Sequence, residues 1–228
     1  MTKINERPIL FSAPMVRAIL EGRKTVTRRP HGLDELNLNM PDIYRLEGVG
    51  KKSGTAEFSH GEEFEHRFDA RCPFGKVGDH LWIRESYQVS KIHDGIKPRD
   101  LDYDRGLTTY YAAGGSRSKD NTGTYVNEDN ICVPDWVGKM RPSIHMPRAA
   151  CRILLEITDV RVERLQDISE EQAVAEGIVE SDRFPGIYLT PSGDYTDAKI
   201  AFKRLWESTG GDWDANPWVW CVNFKVVA

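Results

Sequence analysis

The segment Glu21-Gly22-Arg23-Lys24-Thr25-Val26-Thr27-Arg28-Arg29 sets an amine, two hydroxyls and three guanidinium groups within nine residues. Gly22 reads as the end of a short amphipathic helix, and Thr25-Val26-Thr27 reads as extended backbone. The turn between them can therefore aim several polar side chains at one ligand. The bland alternative is a surface turn with solvated basic residues.

A second segment, Gly78-Asp79-His80-Leu81-Trp82-Ile83-Arg84-Glu85-Ser86-Tyr87, begins with a turn pair and continues as an aromatic and β-branched strand. Alternation puts Leu81, Ile83, Glu85 and Tyr87 on one face and Trp82, Arg84 and Ser86 on the other. A carboxylate in line with two aliphatic residues is either paired with a cation or kept partly protonated, because an unpaired buried charge is costly. A paired structural glutamate is the plainer of the two readings.

The pattern Gly22-x-Lys24-x-x-Thr27-x-Arg29, followed by Gly78-Asp79 and the strand carrying Glu85, resembles the ASCH domain, a branch of the PUA-like β-barrels. Arg152-Ile153-Leu154-Leu155-Glu156-Ile157 and Asn216-Pro217-Trp218-Val219-Trp220 look like late barrel strands. The length is that of the larger ASCH proteins often met in phage and prophage genomes, and compact members have no counterpart for the middle of the chain. The resemblance implies one α+β domain over residues 1–228, a PUA-like mixed β-barrel with flanking helices and an insertion at about 90–141.

Similarity to the compact bacterial amidohydrolases that deacetylate N-acetylated cytidine further implies three roles. Thr27 is the nucleophile, Lys24 the base that takes its proton, and Glu85 the acid that protonates the leaving amine. A threonine hydroxyl is a weak nucleophile without a base in hydrogen-bond reach. A neutral amine at physiological pH requires Lys24 to be depressed by about two to three units from roughly 10.4. Burial and the charges of Arg23, Arg28 and Arg29 push that way, and an ionised Glu85 pushes back. Around this trio, Arg29 can grip a phosphate or a pyrimidine carbonyl, and Ser12 can donate a hydrogen bond from a helix start. Tyr87 shares the face of Glu85, and Trp213, in a polar loop, can stack on a base, with core packing as the bland reading of its ring.

The elements that must position these groups follow from periodicity. Pro8-Ile9-Leu10-Phe11 reads as a strand, followed by a helix that opens at Ser12 or Ala13 with Pro14 in its first turn and stops at Gly22. Residues 31–60 read as loops and a hairpin, with a strand at Glu63–Phe68. Thr108–Tyr111 reads as a strand, and Gly114–Asn121 as a polar segment suited to a mobile lid. A long strand covers Ala150–Leu165, with a bend near Thr158-Asp159. Ser169-Glu170-Glu171-Gln172 fits a capping box opening a helix that stops at Gly177. A helix from about Thr196 to Ser208 carries an apolar stripe through Ala198, Ala201, Phe202, Leu205 and Trp206, and the last strand carries Trp218, Trp220, Val222 and Phe224.

The 228 residues are 39% hydrophobic and 29% charged, with four scattered cysteines and no Cys-x-x-Cys pair, a pattern against a zinc knuckle or disulfide framework. His60, His66 and Cys72 recur at six-residue spacing, which matches no common metal-ligand pattern. The reading therefore calls for no metal and no cofactor. No apolar run reaches bilayer length, and the amino end lacks the pattern of a secretory signal, so a cytoplasmic protein without membrane contact is expected.

The net charge of -4 is unevenly spread: residues 1–29 hold seven Lys or Arg against two acids, a net of +5, leaving -9 for the rest. A small basic site on an acidic body suits a nucleoside, a nucleotide or short single-stranded RNA better than a long duplex. Three functions are therefore expected in order: a hydrolase of a modified nucleoside or nucleotide, with deacetylation of N-acetylated cytidine foremost; an RNA-binding module or single-strand ribonuclease; and a non-catalytic phage accessory protein. The sequence sets no oligomeric state.

Overall fold

The computed structural model describes residues 4–39, 43–61, 66–104, 107–117 and 136–227. The chain opens with β1 (Glu6–Leu10) and α1 (Ala13–Leu20), whose first turn closes when the Ser12 carbonyl accepts the Val16 N–H at 2.9 Å. Gly22, at φ +75°, supplies the left-handed residue that ends the turn and lets the chain run on into β2 (Val26–Arg29). Next come α2 (Asp34–Asn39), β3 (Arg45–Gly50), β4 (Thr55–His60), β5 (His66–Arg71), β6 (His80–Arg84), β7 (Tyr87–Gln88), β8 (Thr109–Tyr111) and β9 (Ser116–Arg117). The remaining elements are β10 (Leu154–Arg164), α3 (Glu170–Ala175), β11 (Val179–Glu180), β12 (Tyr188–Leu189), β13 (Tyr195–Thr196), α4 (Ala198–Ser208) and β14 (Trp218–Val226). The protein is α+β.

By contacts the chain divides into two compact units, the first made of residues 1–5, 21–80 and 156–225 and the second of 6–20, 81–155 and 226–228. In the first, β14 pairs antiparallel with β2, setting Val222 opposite Thr27 and Cys221 opposite Arg28, and β10 flanks β14 on its other side. Val26, Val219 and Cys221 pack with Ala173 of α3 and Ala201 and Phe202 of α4 into one apolar cluster. Along β10 the buried positions switch from odd (Leu155, Ile157) to even (Val160, Val162), so the bend expected at Thr158-Asp159 is a change of face within a continuous strand.

Residues 31–60 hold more order than loops and a hairpin. Leu33 and Leu36 are buried, and Asp34 and Glu35 sit in the first turn of α2 where the helix dipole favours them. β3, β4 and β5 then form an antiparallel meander in which the stacked rings of His60 and His66 face each other across one register pair, 4.5 Å apart. Residues 63–65 of the expected strand lie outside the described residues. A third small sheet is the antiparallel set β11-β12-β13.

In the second unit β6 lies beside β1, with the Phe11 N–H donating to the Arg84 carbonyl at 3.2 Å. β7, β8 and β9 form an antiparallel sheet over a core of Tyr87, Val89, Tyr111, Met146 and Ala150. The polar stretch expected as a lid begins as the tight β8–β9 turn at Gly114 and Gly115, both at positive φ, and its residues 118–121 lie outside the described residues.

The expected barrel is not closed: among the described residues the strands belong to several separate sheets, three of them with only three strands. Short hairpin partners saturate those strands locally, which removes them from any continuous closed ladder. No described helix is long and apolar enough to cross a membrane.

Candidate functional site

Helix α3 brings the first unit's charged cluster together. Its capping box is complete: the Ser169 hydroxyl accepts the Gln172 N–H at 3.2 Å, and the Gln172 side-chain oxygen accepts the Ser169 N–H at 3.0 Å. Gln172 and Glu176 are four residues apart and so share a helical face. That face meets β2. Arg28 donates through one terminal nitrogen to Glu176 at 3.2 Å and through the other to Gln172 Oε1 at 3.0 Å and Glu163 at 3.1 Å. Gln172, whose side chain closes the capping box, thus also holds Arg28.

Lys24 is reached from the other end of α3. Its backbone forms an antiparallel bridge with Glu176, steadied by the Thr25 N–H donating to the Ala175 carbonyl at 2.9 Å. The Lys24 amine donates to the Glu176 carboxylate at 2.6 Å and to the Glu176 carbonyl at 2.8 Å. Both side chains are almost wholly buried, at 1% and 4% exposure. Burial depresses the Lys24 amine below the usual lysine range; Glu176 opposes that shift, and Arg29 and Arg28 add to it. Arg29 is likewise pushed down by burial, with Glu176 opposing. Glu163 serves a second layer, accepting from Arg161 at 2.9 Å and from the Cys221 thiol at 3.3 Å.

Successive side chains of β2 alternate, so Val26 and Arg28 share one face and Thr27 and Arg29 the other. Thr27 is 2% exposed. Trp213 belongs to the apolar cluster of the same unit, edge-on to Phe202 at 6.2 Å, so its placement is that of a core residue.

The second unit holds Glu85, Tyr87 and Ser12 of the expected site. Glu85 follows β6 directly and is 1% exposed. Arg152 grips it with two hydrogen bonds, 2.8 Å from Nε and 3.0 Å from a terminal nitrogen, and lies 4.0 Å from the centre of the Tyr111 ring. Burial raises the Glu85 carboxyl above the usual range, and the hydrogen bond and charge of Arg152 oppose the rise. The plainer sequence reading, a glutamate paired with a cation, describes this geometry. Tyr87 is fully buried, its hydroxyl 2.9 Å from that of Tyr103. Ser12 stays at the exposed start of α1.

Sequence reasoning placed the charge of Arg28 beside Lys24, but missed Glu176 as the carboxylate of Lys24 and Arg152 as the partner of Glu85. The four-residue spacing of Gln172 and Glu176 behind a capping box was the available signal for the first. No family model matches the chain, and comparison with curated proteins and with solved structures gives no match.

Proposed function

We propose that the protein is a hydrolase of a modified nucleoside or nucleotide, of PUA-like ASCH type, acting as an amide deacetylase on N-acetylated cytidine. Lys24 carries the reading: a lysine sealed from solvent, its ammonium form disfavoured by burial, with Glu176 opposing that shift and Arg29 and Arg28 adding to it. Such an ammonium gives up its proton more readily than a solvated lysine, and the free amine it leaves can take one from a weakly acidic hydroxyl.

In this reading Lys24 accepts the Thr27 proton as the hydroxyl oxygen attacks the acetyl carbonyl. The C–N bond breaks, the Lys24 ammonium returns the proton to the departing cytosine amine, and water then releases acetate from the threonine ester. Glu176, 2.6 Å from the Lys24 nitrogen, would stabilise the ammonium as it forms, the part an orienting carboxylate plays for a catalytic imidazole.

The test is chromatographic turnover of N-acetylcytidine by wild type, Lys24→Ala and Thr27→Val, with folding checked by circular dichroism. Product from wild type and at least a hundredfold less from each folded variant is expected. Absence of product from folded wild type sinks the reading.

One observation favours a second function, binding of a nucleotide or single-stranded RNA without turnover. Lys24, Arg28 and Arg29 crowd around Glu176, and the Nε of Arg28 is buried without a hydrogen-bond partner. A buried guanidinium N–H left without an acceptor is what an anionic ligand would satisfy. Salt-dependent RNA affinity with no product would select it.

A further inference from the structure

Three arginines line one cleft of the second unit. The cleft, of about 480 Å³, lies among β9, the turn Arg148–Ala150 and the start of β10, with Arg117, Arg148, Arg152, Ser116 and Cys151 in its wall. Its volume falls within the roughly 300–1,000 Å³ typical of small-molecule sites. Among the described residues no acidic side chain lines it.

The charges of the wall do not cancel. Arg152 is matched by Glu85. Arg148 meets Glu6 through Nε at 2.7 Å, which leaves its terminal nitrogens for other acceptors, and that pair is half exposed and so of little energetic weight. Arg117 meets no carboxylate among the described residues. One terminal nitrogen instead donates to the carbonyls of Ala149 at 3.1 Å and Cys151 at 2.5 Å, which fixes the guanidinium in place and leaves Nε and the second terminal nitrogen unused.

The turn ahead of β9 is also shaped for close approach. Gly115 has φ +80°, and a Cβ there would sit 2.9 Å from a terminal nitrogen of Arg152. The wall therefore holds one guanidinium more than its carboxylates neutralise, anchored by backbone carbonyls, beside a serine hydroxyl. Such a fork-bearing surface recognises a tetrahedral oxyanion, and the volume leaves room for what the oxyanion is attached to.

We propose that this cleft binds the phosphate group of a nucleotide, with Arg117 and Arg148 as the donors. The inference rests on the nucleotide-directed reading above and deepens it: the natural ligand carries a phosphate, and the second unit by itself supplies the groups that hold it. The phosphate can belong to a free mononucleotide or to a single strand, and both present the same group.

The experiment is isothermal titration of wild type, Arg117→Gln, Arg117→Lys and Arg148→Gln with cytidine 5′-monophosphate, cytidine and a five-nucleotide RNA, at low and moderate salt. Wild type is expected to bind the monophosphate at least tenfold more tightly than cytidine. Arg117→Gln is expected to lose about tenfold for the monophosphate and nothing for cytidine, with Arg117→Lys in between. Tighter binding of the RNA than of the monophosphate, with the same arginine dependence, identifies a single strand as the source; the reverse order identifies a mononucleotide. Equal affinity for cytidine and its monophosphate overturns the proposal. So does monophosphate binding that is unchanged in both Arg117→Gln and Arg148→Gln. Should Arg117→Gln fail to fold, Arg148→Gln, on the half-exposed side, carries the test alone. Arginine-dependent phosphate binding without deacetylation keeps this site and removes the hydrolase; deacetylation without phosphate preference does the opposite.

Discussion

Replacing Glu176 by glutamine keeps the shape of the side chain and removes its charge from a position where two cations depend on it. Lys24 loses the carboxylate at 2.6 Å, whereas Arg28 keeps Glu163 at 3.1 Å and Gln172 at 3.0 Å. The loss should therefore resemble the breaking of one buried pair, about 3–5 kcal/mol, rather than two. Lys24→Met removes the buried cation while leaving Glu176 with Arg28 at 3.2 Å, so it should cost less, under about 2 kcal/mol. In the double variant no amine is stranded, and its destabilisation should fall short of the sum of the singles by at least about 1 kcal/mol.

Urea denaturation of the four proteins, with slopes compared to confirm a common unfolded state, measures this cycle. The pH dependence gives a second reading. With Glu176 gone, burial and the two arginines act on Lys24 unopposed, and its folded-state pKa falls further below the unfolded value of 10.5. Between those two values the unfolded chain binds more protons than the folded one. Stability of Glu176→Gln should therefore rise as pH rises through that window, narrowing the gap to wild type. A Glu176→Gln loss below about 0.5 kcal/mol, or singles that simply add, would refute the claim that Lys24 depends on this carboxylate.

Two further outcomes follow from the same network. Ser169→Ala removes the cap of α3 and frees Gln172, which also holds Arg28, so it should cost about 1–2 kcal/mol in thermal or urea unfolding, above the loss at an isolated exposed cap; a loss below about 0.5 kcal/mol would separate cap from cluster. Glu163 carries a carboxyl held below the usual 4.5: burial pushes it up, but Arg161, Cys221 and Arg28 together outweigh that. Its contribution is present above pH 4.5 and is lost as pH falls through the lower folded value, so Glu163→Gln should flatten the acid limb of the stability profile measured by circular dichroism.

What the sequence made legible were features whose cause is local. The capping box of α3, the stop at Gly177, the apolar stripe of α4 and the alternation that buries Leu81, Ile83, Glu85 and Tyr87 all depend on neighbours within a few positions. Helix α2 escaped notice because its six residues bury only a little apolar surface, too short a run for periodicity to show. The charge partners escaped for a different reason. Glu176 is 152 residues from Lys24, and Arg152 is 67 from Glu85, so neither pairing leaves a mark in local spacing.

A cation partner for Glu85 follows from its strand face alone, because the cost of an unpaired buried carboxylate demands one even where local spacing does not name it. The same cost requires a buried carboxylate for the Lys24 amine. A helix ending in Glu-Gly after a capping box offers one, since the C-terminal turn brings Glu176 to the strand that the helix covers. A buried lysine therefore predicts its own counter-ion, and the two should be sought together.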